Sequence, residues 1–215
     1  MMKKSKVLIV AFLLASSCMV QAGWGQGRGK GGGGNTQQVD ALSVAEAERL
    51  TYLREEEKVA HDVYVGLFAR WGIVAFDNIS QAEQRHMDAV LSKLNQYGLV
   101  DPALTQTGSF TNASLQQLYD NLIAQGKVSA LSALMTGALI EEVDMADLDE
   151  MIGGTENEGL INLYETLHCG SRNHLRAFVR QIESRGVVYE AQVLTQAAVD
   201  LIVDSPMERR CGAGG

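Results

Sequence analysis

The sequence predicts an all-α protein, a four-helix bundle with one long crossover connection and an extra C-terminal helix. Three observations lead to this fold class. Apolar residues recur at helical spacing from Asp40 onward, capping residues and glycines mark where the periodic segments begin and end, and no convincing run of alternating strand residues is seen. The segments pair into two helical hairpins joined by a long connection, which is the plan of such a bundle.

The first hairpin is predicted from its caps and stops. Helix A covers about 43–71, because a capping box opens at Ser43 and Gly72 follows the periodic run as a stop. Helix B covers about 78–96 and ends before Gly98. The two helices follow each other closely in sequence, so we expect them to pack as neighbours.

A long connection separates the two hairpins. Residues 99–127 contain turn residues and one short helix, which Asn112 opens and which covers Leu115–Ile123. This connection is the predicted crossover of the bundle. Helix C follows over about 129–152 and stops at Gly153.

The last part of the chain completes the second hairpin and adds one helix. Helix D is predicted over about 155–185, because a capping box opens at Thr155. A final helix covers 190–203 and ends before a Ser-Pro pair. We therefore expect one helical domain over residues 40–205, followed by a flexible tail over 206–215.

The N-terminal segment predicts export. Residues 1–22 are typical of a secretory signal peptide, because lysines precede the apolar run Val7–Ala15 and a small-residue cleavage site follows. That run is shorter than the roughly 20 residues that span a bilayer, so we expect no transmembrane segment and a periplasmic or extracellular location. A lipid anchor at Cys18 stays open as an alternative. Residues 23–39 are glycine-rich and are expected to form a flexible tether.

Charge and cysteine content argue against two classes of function, nucleic-acid binding and structural zinc binding. Three of the 18 Lys and Arg lie in the predicted signal, so 15 remain against 26 Asp and Glu, a net charge of −11. An acidic protein of this kind is not expected to bind nucleic acid. Cys169 and Cys211 are candidates for one disulfide, and neither belongs to a motif typical of structural zinc.

Charged side chains lie on helix faces that should be apolar. Glu57 shares the core stripe of helix A, and a buried carboxylate needs a partner. Glu83 and His86 of helix B are spaced i, i+3 and project from one face, which is how a bundle helix offers a carboxylate and an imidazole to a metal. A solvated charge cluster is the alternative for each of these signals taken alone.

The second hairpin supplies the remaining candidate ligands. They are Glu141 and Glu142 of helix C and His174 of helix D, with Asp144, Glu165 and His168 as alternatives. Glu165 and His174 are nine residues apart, or about 13 Å along a helix, so they exclude each other as members of one cluster. Carboxylates on three helices together with an i, i+3 Glu-His pair predict a metal site between the helices.

These residues resemble a known group of proteins. The segments around Glu57, Glu83 and Glu141 are similar to the ligand-bearing helices of rubrerythrin-like and ferritin-like proteins. Three motifs more closely resemble the prokaryotic ferritin-like domain family of unknown function. The first combines residues 54–58 and 62–64, the second is 83–87, and the third is 170–178. The resemblance covers about residues 43–185. It implies a ferritin-like four-helix bundle with a dinuclear site, and it assigns no activity.

The expected function is that of an exported metal protein. Iron, as a dinuclear centre, or manganese is the expected cofactor, since carboxylate and imidazole ligands suit both metals. The activity expected is that of a metal-dependent oxidoreductase, ferroxidase-like or peroxidase-like, which acts on oxygen or peroxide or oxidises Fe(II). Glu57 is expected to bridge from helix A to Glu83 and His86. Metal ions are the expected partners, and a homo-oligomer stays open.

An interaction protein is the alternative to an oxidoreductase. Helix D has Ser171 where rubrerythrin-like helices carry a glutamate, and a loop over residues 72–78 must climb back along helix A to bring Glu57 level with Glu83. A non-catalytic exported bundle with a mononuclear or vestigial metal site therefore remains an open interpretation. Metal content after purification separates the two.

Overall fold

The computed structural model describes residues 41–209 and Cys211, and it confirms an all-α bundle. The six helices in this part of the chain are α1 (Val44–Trp71), α2 (Val74–Gln96), α3 (Ala113–Gly126), α4 (Ala130–Gly153), α5 (Glu158–Glu183) and α6 (Gln196–Val203). None of them is both long and apolar enough to cross a bilayer. The predicted signal peptide, its Cys18 and the glycine-rich tether lie outside the described residues.

The helices pack as two hairpins. α1 pairs with α2 and α4 with α5, and across the bundle α1 contacts α4 while α2 contacts α5. Residues 97–129 form the crossover between the hairpins, and α3 within it packs against both α1 and α4. The short α6 packs on the outside of α5. This is a four-helix bundle with one long crossover and an additional C-terminal helix.

The first hairpin is tighter than the sequence predicts. Ser43 and Glu46 form the predicted capping box of α1, and Gly72 ends the helix with a left-handed φ of 64°. α2, however, begins at Val74 rather than at residue 78, so the turn has only two residues. Phe76 explains the early start, because its fully buried side chain packs this first turn of α2 into the core.

The last two helices begin later than the sequence predicts. Asn157 caps α5 by accepting from two backbone N–H groups, whereas Thr155 donates to Glu46 of α1 and does not cap the helix. The last helix begins at Gln196 instead of residue 190. The backbone N–H groups before it bond to Glu142, so this segment satisfies its donors without forming a helix.

The apolar core consists of two clusters with a polar layer between them. One cluster contains Tyr64, Phe76 and Phe178, whose ring centroids are 5.3–5.9 Å apart. The other surrounds Leu50 and Leu160 near the opposite end of the bundle. Burying each such side chain stabilises the fold by about 1.5–3 kcal/mol. The two clusters therefore hold the helices in place on both sides of the polar layer.

The charged run in α1 is buried and not solvated. Arg54 pairs with Asp101 at 3.0 Å, and Glu55 accepts from the backbone N–H of Asn112 at 3.0 Å. Lys58 donates to backbone carbonyls of the crossover. These contacts tie the crossover to α1, so a solvated charge cluster is the wrong interpretation of this run.

The C-terminal residues lie against α5. Cys169 and Cys211 form the predicted disulfide, with their Cα atoms 5.4 Å apart. Glu208 accepts from Arg172 at 2.7 Å and from Arg176 at 2.9 Å. Glu208 and Cys211 are therefore held against α5 within the segment that the sequence predicts to be a free tail, and residues 210 and 212–215 lie outside the described residues.

Candidate metal centre

Five acidic and histidine side chains converge in the polar layer of the bundle. α1 contributes Glu57, α2 contributes Glu83 and His86, α4 contributes Glu141, and α5 contributes His174. All five are buried, with 9% or less of each residue exposed. We call this set the centre. The two-residue turn between α1 and α2 brings Glu57 and His86 level, so no loop has to climb back along α1.

Glu83 lies in the middle of the centre and faces both histidines. Its Oε2 is 2.8 Å from Nδ1 of His86, and its Oε1 is 2.9 Å from Nδ1 of His174. The two imidazole rings lie side by side, with centroids 5.5 Å apart. Each oxygen of one carboxylate thus points to a different imidazole, which is the geometry of a carboxylate that bridges two sites.

The centre divides into two groups of three potential ligands that share Glu83. One group adds Glu57 and His86, and the other adds Glu141 and His174. Within each group the ligand atoms lie within 4.8 Å of one another. Glu83 is therefore common to both groups, whereas Glu57, which the sequence predicts to bridge from helix A, belongs to one group only. The carboxylate that helix D lacks at Ser171 is supplied to the second group by Glu141 of α4.

Two buried atoms of the centre make no well-aligned hydrogen bond within the described part of the chain. They are Oε1 of Glu57 and Nδ1 of His174, although the carboxylates of Glu83 and Glu141 lie 2.9 and 3.3 Å from that nitrogen. Leaving such groups unsatisfied costs about 1–3 kcal/mol each. Converging carboxylate oxygens and imidazole nitrogens form a donor set that iron and manganese bind once the imidazoles lose their protons, so the residues present fit a carboxylate and imidazole metal site.

Burial and mutual charge set the protonation of the centre. Burial raises the pKa of both Glu57 and Glu141 to about 7. Burial also opposes ionisation of Glu83, but the charges of His174 and His86 outweigh it and hold the pKa of Glu83 well below its ordinary value. Burial lowers the pKa of His174, but the charges of Glu83 and Glu141 outweigh this effect and raise the pKa to about 10. Metal-free, the centre holds its charge balance through protonated imidazoles.

Neighbouring hydroxyl groups orient two carboxylates. The hydroxyl of Tyr64 donates to Oε1 of Glu141, and the hydroxyl of Ser171 donates to Asp144. Asp144 is buried beside the centre but belongs to neither group of three. The helical spacing of Tyr64 and Ser171 places both on core faces, yet it does not indicate that their hydroxyls bond to carboxylates.

Three other predicted ligands lie away from the centre. Glu142 is fully buried but accepts from Tyr189 and from the backbone N–H groups of residues 192–194, on another face of α4. Glu165 is exposed. His168 lies 3.2 Å from Asp149 and contacts Arg172, near the surface of the bundle. The structure brings none of these three to the centre.

Glu56 and Asp147 form a carboxyl pair that the sequence does not single out. Burial raises the pKa of Glu56 well above its ordinary value, and Asp147 and Asp144 add to that effect. Burial likewise raises the pKa of Asp147. Glu56 precedes a predicted ligand and stands in a charged run, so its burial becomes evident only once α1 is packed against α4.

The fold and the centre define an all-helical bundle with a buried carboxylate and histidine cluster. The chain belongs to the family described as an uncharacterized protein domain, DUF2202, whose model matches residues 46–206. It is 42% identical over 169 residues to the uncharacterized protein MJ0754 of Methanocaldococcus jannaschii, a match that covers 78% of this chain and 91% of the relative.

A solved structure shares the fold. The crystal structure of hypothetical protein MJ0754 from Methanococcus jannaschii superposes on this chain with a TM-score of 0.77 at 41% sequence identity. The match covers 79% of this chain and 97% of the solved one. The motifs correctly predict membership of this family of unknown function.

Proposed function

We propose that this protein is an exported, ferritin-like metal protein that binds two iron or manganese ions in the centre. Glu83 would bridge the two ions. Glu57 with His86 would complete one site, and Glu141 with His174 would complete the other. The single observation that carries the proposal is the placement of the two Glu83 oxygens against two different imidazoles.

The surroundings support a redox-active centre. Two bound iron or manganese ions would supply one-electron chemistry toward oxygen or peroxide, or oxidation of Fe(II). The chain's own residues hold the ligands and exclude water, since the aromatic cluster around Tyr64 and Phe178 covers one side of the centre. Tyr64 keeps its proton at the hydroxyl that donates to Glu141, because burial and the Glu141 charge raise the pKa of Tyr64 well above its ordinary value.

The contacts of His86, whose Nδ1 lies 2.8 Å from Glu83 and 3.2 Å from Glu57, support a second function, that of a non-catalytic exported bundle. The burial of His86 lowers its pKa, but the charges of Glu83 and Glu57 reverse this and raise the pKa well above its ordinary value. Protonated histidines then balance the buried carboxylates without any metal, and the polar layer would serve to fix the register of the helices. Metal content separates this alternative from the proposal.

Metal analysis and thermal shifts test the proposal. Protein purified without chelator is expected to contain about two equivalents of iron or manganese per chain, in keeping with dinuclear bundle sites. Adding Mn²⁺ to apoprotein should raise the melting temperature, because bound metal offsets the repulsion among buried carboxylates. His86→Ala and Glu83→Ala should abolish that rise.

His168 provides a matched control, because it follows Glu165 at the same spacing at which His86 follows Glu83. His168→Ala removes an imidazole near the surface of α5 and should leave the Mn²⁺ response unchanged. An equal response in wild type, His86→Ala, Glu83→Ala and His168→Ala would overturn the proposal, and so would the absence of any response in the wild type.

A further inference from the structure

Glu56 is a buried carboxyl group beside the centre that the proposed site does not use. The residue is only 7% exposed, its Oε2 meets no N–H or hydroxyl donor among the described residues, and its side chain lies within hydrogen-bonding reach of the carboxyl group of Asp147. Two facing carboxyl groups repel each other when both are ionised. Either a shared proton or a bound cation removes that repulsion.

Acidic side chains of α4 surround Glu56. Its strongest charged neighbours are Asp147 and Asp144, which lie one helical turn apart on α4. Asp144 is buried, whereas Asp147 is half-buried. Tyr52 lies beside Glu56 and Asp147 and is also half-buried. The group therefore begins at solvent with Asp147 and continues inward through Glu56.

The inner end of the group adjoins the centre. The charged neighbours of Asp144 include Glu57, Glu83 and His86. Ser171 orients Asp144 by donating a hydrogen bond to it. Electrostatic contacts thus link the half-buried Asp147 to Glu56, Glu56 to Asp144, and Asp144 to Glu57.

We propose that Asp147, Glu56 and Asp144, called here the uptake carboxylates, form a transit site through which a divalent cation such as Mn²⁺ or Fe²⁺ passes from solvent to Glu57. The proposal rests on the metal-binding function proposed above. Oxygen ligands without imidazole suit hard divalent cations. The uptake carboxylates have no imidazole among them and end at the half-buried Asp147, so we expect them to hold the cation less tightly than the centre does. Weak binding allows the cation to move on to the centre.

Electrostatics explains why such a site is useful. A cleft lined by charges of one sign and walled by apolar side chains concentrates the field, and it raises the association rate of an oppositely charged ion by about 10- to 1,000-fold. Removing charge from the uptake carboxylates is therefore expected to slow loading even though the centre itself is unchanged.

Loading kinetics test the transit site. Apoprotein is mixed rapidly with Co²⁺, a spectroscopic probe whose visible absorption changes when it binds carboxylate and imidazole, and both the rate and the final amplitude are recorded. Asp147→Asn and Glu56→Gln should load at least about tenfold more slowly than wild type, since the charge that attracts the cation is reduced. Both should reach the wild-type amplitude, because the centre is intact.

Control variants separate the two proposals. Glu165→Gln removes an exposed carboxylate of α5 and should load at the wild-type rate. Wild-type rates in both Asp147→Asn and Glu56→Gln, with His86→Ala still abolishing the amplitude, would overturn the transit site and leave the centre standing. A lower final amplitude in Asp147→Asn would also overturn it, because a transit site holds no cation at equilibrium. No Co²⁺ uptake by the wild type would overturn both proposals.

Asp147→Asn tests the transit site even if Glu56→Gln fails to fold. Glu56 is buried, so Glu56→Gln depends on the core accepting an amide, whereas Asp147 is half-buried and its amide can reach solvent. Helix content measured by circular dichroism before loading shows that each variant is folded. A slow rate in folded Asp147→Asn supports the transit site without reference to the buried variant.

Discussion

Gly170 of α5 lies directly against the imidazole of His86 of α2. A Cβ atom at position 170 would stand only 2.5 Å from Nε2 of His86, far inside the about 3.5–4.0 Å at which nonbonded atoms attract. The other ring nitrogen, Nδ1, faces Glu83. Gly170 is therefore a positioning residue, because the missing side chain lets His86 approach α5 with Nδ1 aimed into the centre.

Gly170→Ala is expected to weaken metal binding even though alanine favours a helix by about 1 kcal/mol over glycine. The added methyl group must push His86 away from α5, which moves Nδ1 out of line with Glu83. The rise in melting temperature on adding Mn²⁺ should shrink markedly. Gly153→Ala is the control, since a Cβ atom at the end of α4 meets nothing within 4 Å. A full Mn²⁺ response in Gly170→Ala would contradict this role.

The disulfide between Cys169 and Cys211 should stabilise the fold without being required for it. The two residues are 42 apart in sequence, and a crosslink of that span contributes typically about 2–4 kcal/mol. Cys211→Ser should lower the melting temperature measured by circular dichroism while the helix signal at room temperature persists. Reductant should lower the wild type to the same value and leave Cys211→Ser unchanged. Unfolding of the wild type at room temperature on reduction alone would show that the bundle depends on this bond.

Glu208 should make the C-terminal contact with α5 sensitive to acid. Hydrogen bonds from Arg172 and then Arg176 lower the pKa of Glu208 from 4.5 to about 2. Because the folded-state pKa is depressed, the stabilising contribution is full above pH 4.5 and is lost as the pH falls toward 2. Glu208 and Arg172 are partly exposed, so screening by solvent limits the contribution of their ion pair to the free energy of unfolding to about 1 kcal/mol or less.

Comparison of wild type with Glu208→Gln measures this contribution. The melting temperature of Glu208→Gln should lie slightly below that of the wild type at pH 6, and the difference should close as both are titrated toward pH 2. The Mn²⁺ response at pH 6 should be the same in both proteins. A difference that stays constant down to pH 2 would show that the Glu208 charge is not the cause.

Helical periodicity and capping rules predict most of this fold because they depend on local sequence. They correctly place α1, α4 and the crossover helix within a few residues. They miss the start of α2, because the packing of Phe76 overrides the weak local signal at the turn. They also assign the start of α5 to Thr155, whose hydroxyl bonds instead to Glu46 of a distant helix.

The centre is predictable where a polar residue interrupts a core stripe. Glu57, Glu83 and His86 are found in this way. The same reasoning cannot choose between two adjacent acids. Glu141 and Glu142 are both buried, and only the rotation of α4 about its axis determines which of them faces the centre. That rotation is set by tertiary packing, which also determines that Glu83 is the shared carboxylate.

Glu141 and Glu142 provide the sharpest test of the centre, because they are neighbours with equal burial and different partners. Glu142 accepts from the backbone N–H groups of Gln192, Val193 and Leu194 at 2.7–3.0 Å. Hydrogen bonds to a charged acceptor are worth about 1.5–3 kcal/mol each. Glu142→Gln should therefore lower the free energy of unfolding of the apoprotein by about 2 kcal/mol or more.

Glu141→Gln should have the opposite pattern. Glu141 faces His174 and other carboxylates and is held by Tyr64, and a glutamine amide can still accept from that hydroxyl. Burial raises the pKa of Glu141 to about 7, and His174 keeps Glu83 as its partner, so a neutral glutamine costs little and the apoprotein should unfold at nearly the wild-type urea concentration. The Mn²⁺ response should fall, because one of the two sites loses its terminal carboxylate.

Urea titrations of the two apoproteins and thermal shifts with Mn²⁺ separate the roles of the two residues. Glu142→Gln should lose stability and keep the full metal response, since its partners lie outside the centre. Glu141→Gln should keep stability and lose the response. If both variants respond to Mn²⁺ like the wild type, Glu141 is not a ligand. If Glu142→Gln loses the response while folded, the anchoring of residues 192–194 is not its only role, and the assignment of ligands on α4 must be reversed.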